Sequence, residues 1–162
     1  FFLPDHLGDV HHEIEIVLRI GRNGRHIQPK FALSYVDRVA LGVDFTARSL
    51  QEQLKNKGLP WELAKGFDGS AILGEWQETD PAALEQGYGF TLQIGDEVRQ
   101  SGHTSEMLFN FAEIIAFVSK YFTLKMGDMI YTGTPAGVGP VQVGDSLSGY
   151  LNGRLNLRCK VC

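Results

Sequence analysis

The run from Val10 to Ile20 constrains this chain most, because it alternates cleanly. Ile14, Ile16, Leu18 and Ile20 fall on one face, and Glu13, Glu15, Val17 and Arg19 on the other. Side chains two apart on a strand project to the same side, so two carboxylates share one face with their roots about 6 to 7 Å apart. That pair repels itself. If the face is even partly buried, one group must take up a proton or both must find a cation. A hard divalent ion (magnesium, manganese or calcium) suits such oxygen donors better than zinc does. The plainer alternative is the solvent face of an edge strand, where acidic residues are ordinary.

A second strand over Val39–Phe45 brings a third carboxylate, Asp44, to its end, followed by the polar set Thr46, Arg48 and Gln51. Between these strands, Gly21–Gly24 reads as a turn, and Pro29 opens a helical stretch to about Asp37. Thr46–Asn56 reads as a helix or extended turn. Ala71–Trp76 is a short strand, and Asp80 before Pro81 starts a helix or turn. Tyr88–Ile94 and Glu97–Gln100 form a hairpin about Gly95-Asp96. Asn110 with Glu113 is a capping box for a helix to Phe122, with Phe111, Ile114, Ile115 and Val118 as its buried stripe.

Downstream, Met129–Thr132 reads as a strand and Gly133–Pro140 as a glycine- and proline-rich loop. Strands follow at Val141–Val143, Ser146–Leu151 and Arg154–Val161, the last two joined by the hairpin signal Asn152-Gly153. Trp61, Trp76 and the phenylalanines are expected in the core. The sum is mostly β with a few short helices, an α+β fold without the βαβ alternation of a parallel doubly wound sheet.

With 162 residues, 43% of them hydrophobic and 21% charged, the chain is sized for one globular domain with its own core. A formal charge of -4 without a basic run argues against a nucleic-acid partner. No apolar stretch is long enough for a membrane-spanning helix. The two cysteines, Cys159 and Cys162, make no disulfide framework, so the expected compartment is the cytoplasm. Their C-x-x-C spacing lacks the helix N-terminus that would make a reactive thiol.

Five blocks in order resemble the fumarylacetoacetate hydrolase family: His12-Glu13-Ile14-Glu15, Gly42-Val43-Asp44-Phe45-Thr46-Ala47-Arg48, Lys65-Gly66-Phe67-Asp68, Thr104-Ser105-Glu106-Met107-Leu108-Phe109, and Thr132-Gly133-Thr134-Pro135-Ala136-Gly137-Val138-Gly139. The resemblance implies a mixed β-sandwich roll, usually a homodimer. It implies that Glu13, Glu15 and Asp44 bind Mg2+ or Mn2+, with Ca2+ able to substitute. Lys65 matches the active-site lysine, Arg48 and Gln51 line the substrate pocket, and Thr134 contacts the substrate carboxylate. Many members carry an upstream lid with a His and a Glu that position water, and no match for it stands before Phe1. The expectation is a single catalytic domain over residues 1–162 that lacks an N-terminal segment.

The implied chemistry is metal-dependent reaction of a small 2-oxo acid through an enolate. Carbon–carbon hydrolysis of an acylpyruvate or decarboxylation of oxaloacetate comes first. Isomerisation of an unsaturated 2-oxo diacid such as 2-hydroxyhepta-2,4-diene-1,7-dioate is the alternative. A reading of another class is a non-catalytic, metal-stabilised ligand-binding β domain. A cupin-like site using His11 fits poorly, because no His-x-His pair is present. Gly133–Gly139 lacks the signature of a phosphate-binding loop.

Overall fold

A computed structural model describes residues 1–162. In chain order the elements begin with β1 (Val10–His12), β2 (Ile14–Ile20), α1 (Pro29–Ala32), β3 (Val36–Asp44), β4 (Thr46–Ala47) and α2 (Arg48–Asn56). Then come α3 (Glu62–Lys65), β5 (Ala71–Leu73), β6 (Gln77–Glu78), α4 (Pro81–Gln86), β7 (Gly89–Ile94) and β8 (Glu97–His103). The chain ends with α5 (Phe111–Tyr121), β9 (Met129–Tyr131), β10 (Gly139–Pro140), β11 (Ser146–Leu151) and β12 (Arg154–Lys160).

All strand pairs are antiparallel. The central sheet runs β5-β3-β2-β9 with β6 also on β3, a second runs β12-β11-β7-β8, and a small third runs β10-β1-β4. The first two pack face to face: Ile14, Ile16, Leu18, Val39, Leu41 and Val43 share one buried apolar cluster with Phe90, Leu92, Leu147, Leu151 and Leu157. Gly149 lets them approach, since a Cβ there would meet Leu41 Cδ1 at 3.1 Å. The buried Asn156 side chain ties the layers, accepting from the Leu41 N–H at 2.8 Å and donating to the Glu75 carbonyl at 2.8 Å. The fold is thus mostly β with short helices, in the sandwich roll that the sequence led us to expect.

The Val10–Ile20 run is not one strand. It breaks at Glu13, where the chain leaves the small sheet and enters the central one. Nor is its carboxylate face a solvent face, because Val17 is fully buried and Glu13 and Glu15 are buried beside it.

Several other expectations need correction. The helix at Pro29 ends by Tyr35, after a 3-10 turn, because β-branched Val36 enters β3 as the partner of Ile20. Ala71–Trp76 divides into β5 and an irregular stretch before β6: the Gly74 N–H still reaches Leu41 O, but the Glu75 N–H turns to Asn156 O. Val141–Val143 forms no strand. Pairing occurs instead at Gly139–Pro140 against His11 and His12, inside the segment expected to be loop. The strand expected at Glu97–Gln100 continues to His103.

The aromatic residues are also redistributed. Trp61, Phe109, Phe117 and Phe122 are exposed, as are Leu108 and Tyr121. In α5, Phe111 and Ile115 are buried, whereas Ile114 and Val118 are only partly so. Its capping box forms as expected: Asn110 Oδ1 accepts from the Glu113 N–H at 3.0 Å, and Glu113 Oε2 accepts from the Asn110 N–H at 2.8 Å.

Candidate active site

The antiparallel register of β2 on β3 brings the three carboxylates together. Glu15 lies opposite Gly42, Ile14 opposite Val43, and the Asp44 N–H donates to the Glu13 carbonyl at 2.9 Å. One oxygen from each of Glu13, Glu15 and Asp44 lies within 4.8 Å of the others. Ligands on one magnesium or manganese ion at about 2.1 Å would stand up to about 4.2 Å apart, so small side-chain shifts make this all-oxygen set fit such an ion.

Two cations close over the cluster. Lys65, at the end of α3, donates from Nζ to Glu13 Oε2, Asp44 Oδ2 and Thr46 Oγ1, each at 2.7 Å. Arg48, the first residue of α2, pairs with Glu13 Oε1 and donates to Gln51 Oε1 at 2.6 Å. Arg48 and Gln51 meet because residues three apart share a helix face. All the expected site side chains except Thr134 thus lie together, Glu13 ion-paired to Lys65 and Arg48 and Asp44 to Lys65, with Glu15 and Gln51 beside them.

The cluster sets each proton. Burial would lower the affinity of Lys65 for its proton, but its bonds to Asp44 and Glu13 outweigh that and hold it above the ordinary lysine value. With both carboxylates on it, it is held as an ammonium. Burial likewise pushes Glu13 up, yet Lys65 and Arg48 hold it below the usual carboxylate range. In Asp44 burial wins over Lys65, and its value is raised.

Glu15 has no cation bound to it. Burial, then the neighbouring charges of Asp44 and Glu13, push it up to about 7 against the opposing pull of the Gly133 N–H, which donates to Oε2 at 2.7 Å. Gly133 has φ 101°, a left-handed conformation that glycine adopts without strain. Gly42 matters for another reason. A Cβ there would come 2.5 Å from Tyr131 Cε1, so only glycine lets that ring cross the sheet and donate from its hydroxyl to Ile72 O at 2.9 Å. Tyr131 walls the site, and burial together with Glu15 and Asp44 pushes its phenol up to about 12.

Thr134 lies on the loop after β9, but its hydroxyl is committed to the protein. It donates to Ile14 O at 2.8 Å and accepts from Gln100 Nε2 at 2.8 Å. A cavity of about 280 Å³ lies along this loop against Ile16, Phe90, His103 and Glu106, and none of the three carboxylates lines it. His11 is half-buried, stands outside the carboxylate group, and leaves its Nδ1 without a partner. His12 turns away from the cluster, to Gln100.

Thr46, Gly133, Tyr131 and Gln100 were not singled out as site residues from the sequence. Thr46 carried a weak signal as the polar residue two beyond Asp44, and Gly133 one as part of a glycine-rich loop. Nothing in the sequence around Tyr131 or Gln100 marks either.

Residues 2–162 match the model of the fumarylacetoacetate hydrolase C-terminal family. The chain belongs to the fumarylacetoacetate hydrolase family. It is similar to the mitochondrial oxaloacetate tautomerase of Mus musculus, at 41% identity over 98% of this chain and 72% of that one. Its fold superposes with a TM-score of 0.94 on fumarylpyruvate hydrolase from Pseudomonas aeruginosa, solved with Mn2+ and pyruvate. The two are 34% identical over 99% of this chain and 69% of the other.

A 5-carboxymethyl-2-hydroxymuconate delta-isomerase from Mycobacterium smegmatis matches with a TM-score of 0.88 at 32% identity, covering 99% of this chain and 62% of that one. These fumarylacetoacetate hydrolase relatives are enzymes, and so is this member of the family. No helix is long and apolar enough to cross a membrane.

Proposed function

We propose that this chain is a divalent-metal-dependent enzyme that enolises a small 2-oxo acid, with Glu13, Glu15 and Asp44 holding Mg2+ or Mn2+. The convergence of three carboxylates with the Lys65 ammonium fixed on two of them carries this reading. When bound, the ion supplies Lewis acidity toward the carboxylate and 2-oxo oxygen of the substrate.

The protein groups do the rest. Lys65 sets a positive charge beside the oxygen on which charge develops, and the proton that leaves C3 passes to solvent water. Arg48 offsets Glu13 and offers its guanidinium to an anionic substrate, with Gln51 fixing its direction. The Gly133 N–H orients Glu15, and Tyr131 keeps water from one side of the cluster. Removing one stabiliser of developing charge costs about 3 to 4 kcal/mol, a factor of roughly a hundred to a thousand in rate.

Oxaloacetate is the first substrate to test, supported by the likeness to the mouse tautomerase. Enolisation and decarboxylation of oxaloacetate would both show in one assay. Hydrolysis of an acylpyruvate is the second reading, supported by the likeness to fumarylpyruvate hydrolase. Like decarboxylation of oxaloacetate, it leaves the enolate of pyruvate, while water adds to the acyl group, which departs as a carboxylic acid. Both cysteines are free, which suits a reducing compartment such as the cytoplasm, although the mouse relative is mitochondrial. A homodimer belongs to this reading, supported by the exposed Leu108, Phe109, Phe117 and Tyr121 on and before α5.

The test is to follow enol–keto interconversion and carbon dioxide release from oxaloacetate, and cleavage of an acylpyruvate, with Mg2+ or Mn2+ and with chelator. Metal-dependent turnover of either supports the enzyme reading. Metal bound without turnover of either leaves the metal-stabilised binding domain.

A further inference from the structure

Gln100 stands in β8, on a hairpin remote in sequence from Glu13, Glu15 and Asp44, yet it is 1% exposed and its side chain is fully hydrogen-bonded. Oε1 accepts from His12 Nδ1 at 2.8 Å and from the Ile14 N–H at 3.1 Å. Nε2 donates to Thr134 Oγ1 at 2.8 Å and to the Pro135 carbonyl at 3.0 Å. These four bonds use both donors and both acceptor sites of a primary amide.

The orientation of the amide follows from its neighbours. A main-chain N–H can only donate and a carbonyl can only accept, so a flipped amide would set N–H against the Ile14 N–H and oxygen against Pro135 O. The same logic fixes His12 with its proton on Nδ1. Thr134, receiving a proton from Gln100, must give its own to Ile14 O. The network therefore joins the two residues that flank Glu13, His12 and Ile14, to the loop whose Gly133 N–H holds Glu15.

We propose that Gln100 is a positioning residue of this site. It clamps the Gly133–Pro135 loop to the corner at Glu13, and thereby sets where that loop stands toward the carboxylates and toward a bound 2-oxo acid. The proposal rests on the enzyme reading above. Full pairing is what burial demands of any amide; what points to the site is where the bonds go, to the residues on either side of Glu13 and to the loop next to Gly133.

Gln100→Glu keeps the shape and both acceptor bonds but loses at least one of the two donors: ionised it sets lone pairs against both Thr134 and Pro135, and protonated by burial it still sets one against one of them. Calorimetry on the full chain would titrate Mn2+ alone, then pyruvate into the Mn2+-loaded protein. Pyruvate affinity is expected to fall by at least about three- to tenfold, the effect of one lost hydrogen bond, with a smaller change for Mn2+. Because Gln100 acts through Thr134, adding Thr134→Val to Gln100→Glu should cause no loss beyond that of the worse single variant.

Pyruvate binding as in wild type, or losses that multiply in the double variant, would overturn the proposal. Should Gln100→Glu fail to fold, Thr134→Val and Thr134→Ser read the clamp from the loop side. The valine variant should lose pyruvate affinity and the serine variant retain it, and wild-type affinity in the valine variant overturns the clamp. Wild-type protein that binds Mn2+ but no pyruvate would remove the enzyme reading itself, and this inference with it.

Discussion

Lys65 Nζ and Asp44 Oδ2 stand 2.7 Å apart, with the same ammonium 2.7 Å from Glu13 Oε2. One lysine therefore bridges two carboxylates that converge with a third, and it holds oxygens that a divalent ion would also claim. An ion held by the three carboxylates would have to compete with the lysine for these oxygens.

Lys65→Met is accordingly expected to separate stability, metal binding and turnover. Without metal the variant should lose about 1 to 3 kcal/mol, less than a fully buried broken pair would cost because Lys65 is partly exposed. Mn2+ affinity should be unchanged or tighter, and turnover should drop roughly a hundred- to a thousandfold. Denaturation, calorimetry and a steady-state assay on one preparation check all three, and wild-type turnover would reduce the lysine to scaffold.

Glu15 gives a pH prediction. Its folded value of about 7 lies above the ordinary 4.5, so the fold binds its proton more tightly than the unfolded chain does. The stability linked to that proton is fully present below 4.5 and is lost as pH rises through about 7. Glu15→Gln cannot lose it. In chelator, the variant should gain on wild type between pH 5 and pH 8 by up to the order of 3 kcal/mol. Comparing the two proteins cancels the histidine contributions, which run the other way, and an equal gap at both pH values would contradict the assignment.

Gly42→Ala should destabilise the protein by about 1 to 3 kcal/mol, the usual cost of forcing a methyl group into a packed site. The added Cβ would stand 2.5 Å from Tyr131 Cε1 and 2.7 Å from Val17 Cγ2, so the ring must swing from its place beside Glu15. Thermal denaturation measures the loss. The tyrosine spectral contribution of Tyr131, read as the difference made by Tyr131→Phe, should change between the wild-type and Gly42→Ala backgrounds as the ring moves, and an unperturbed melting temperature would contradict the predicted clash.

Part of the cluster was legible from short-range patterns, period two for Glu13 and Glu15 and a strand end for Asp44, whereas Lys65 and the roles of Arg48 and Gln51 were reached only through the family resemblance. The Asn110–Glu113 cap and the Asn152-Gly153 turn were also legible from short-range patterns, and Asn152 and Gly153 do adopt positive φ. What failed was long-range. Alternation over Val10–Ile20 gives no sign of the sheet change at Glu13, because both halves keep the same period. Period alone also cannot tell a solvent face from one covered by Tyr131 and Lys65. Gln100 looks like any polar strand residue until the loop at Thr134 folds onto it.

The most direct measurement is deuterium exchange at C3 of pyruvate in heavy water, followed by proton NMR with Mg2+, for wild type, Lys65→Met and Asp44→Asn. Enolisation by the Glu13–Glu15–Asp44 site predicts exchange that needs Mg2+, is abolished with metal binding in Asp44→Asn, and is strongly slowed in Lys65→Met. Exchange no faster than buffer in Mg2+-loaded wild type, or equal in all three proteins, would contradict it.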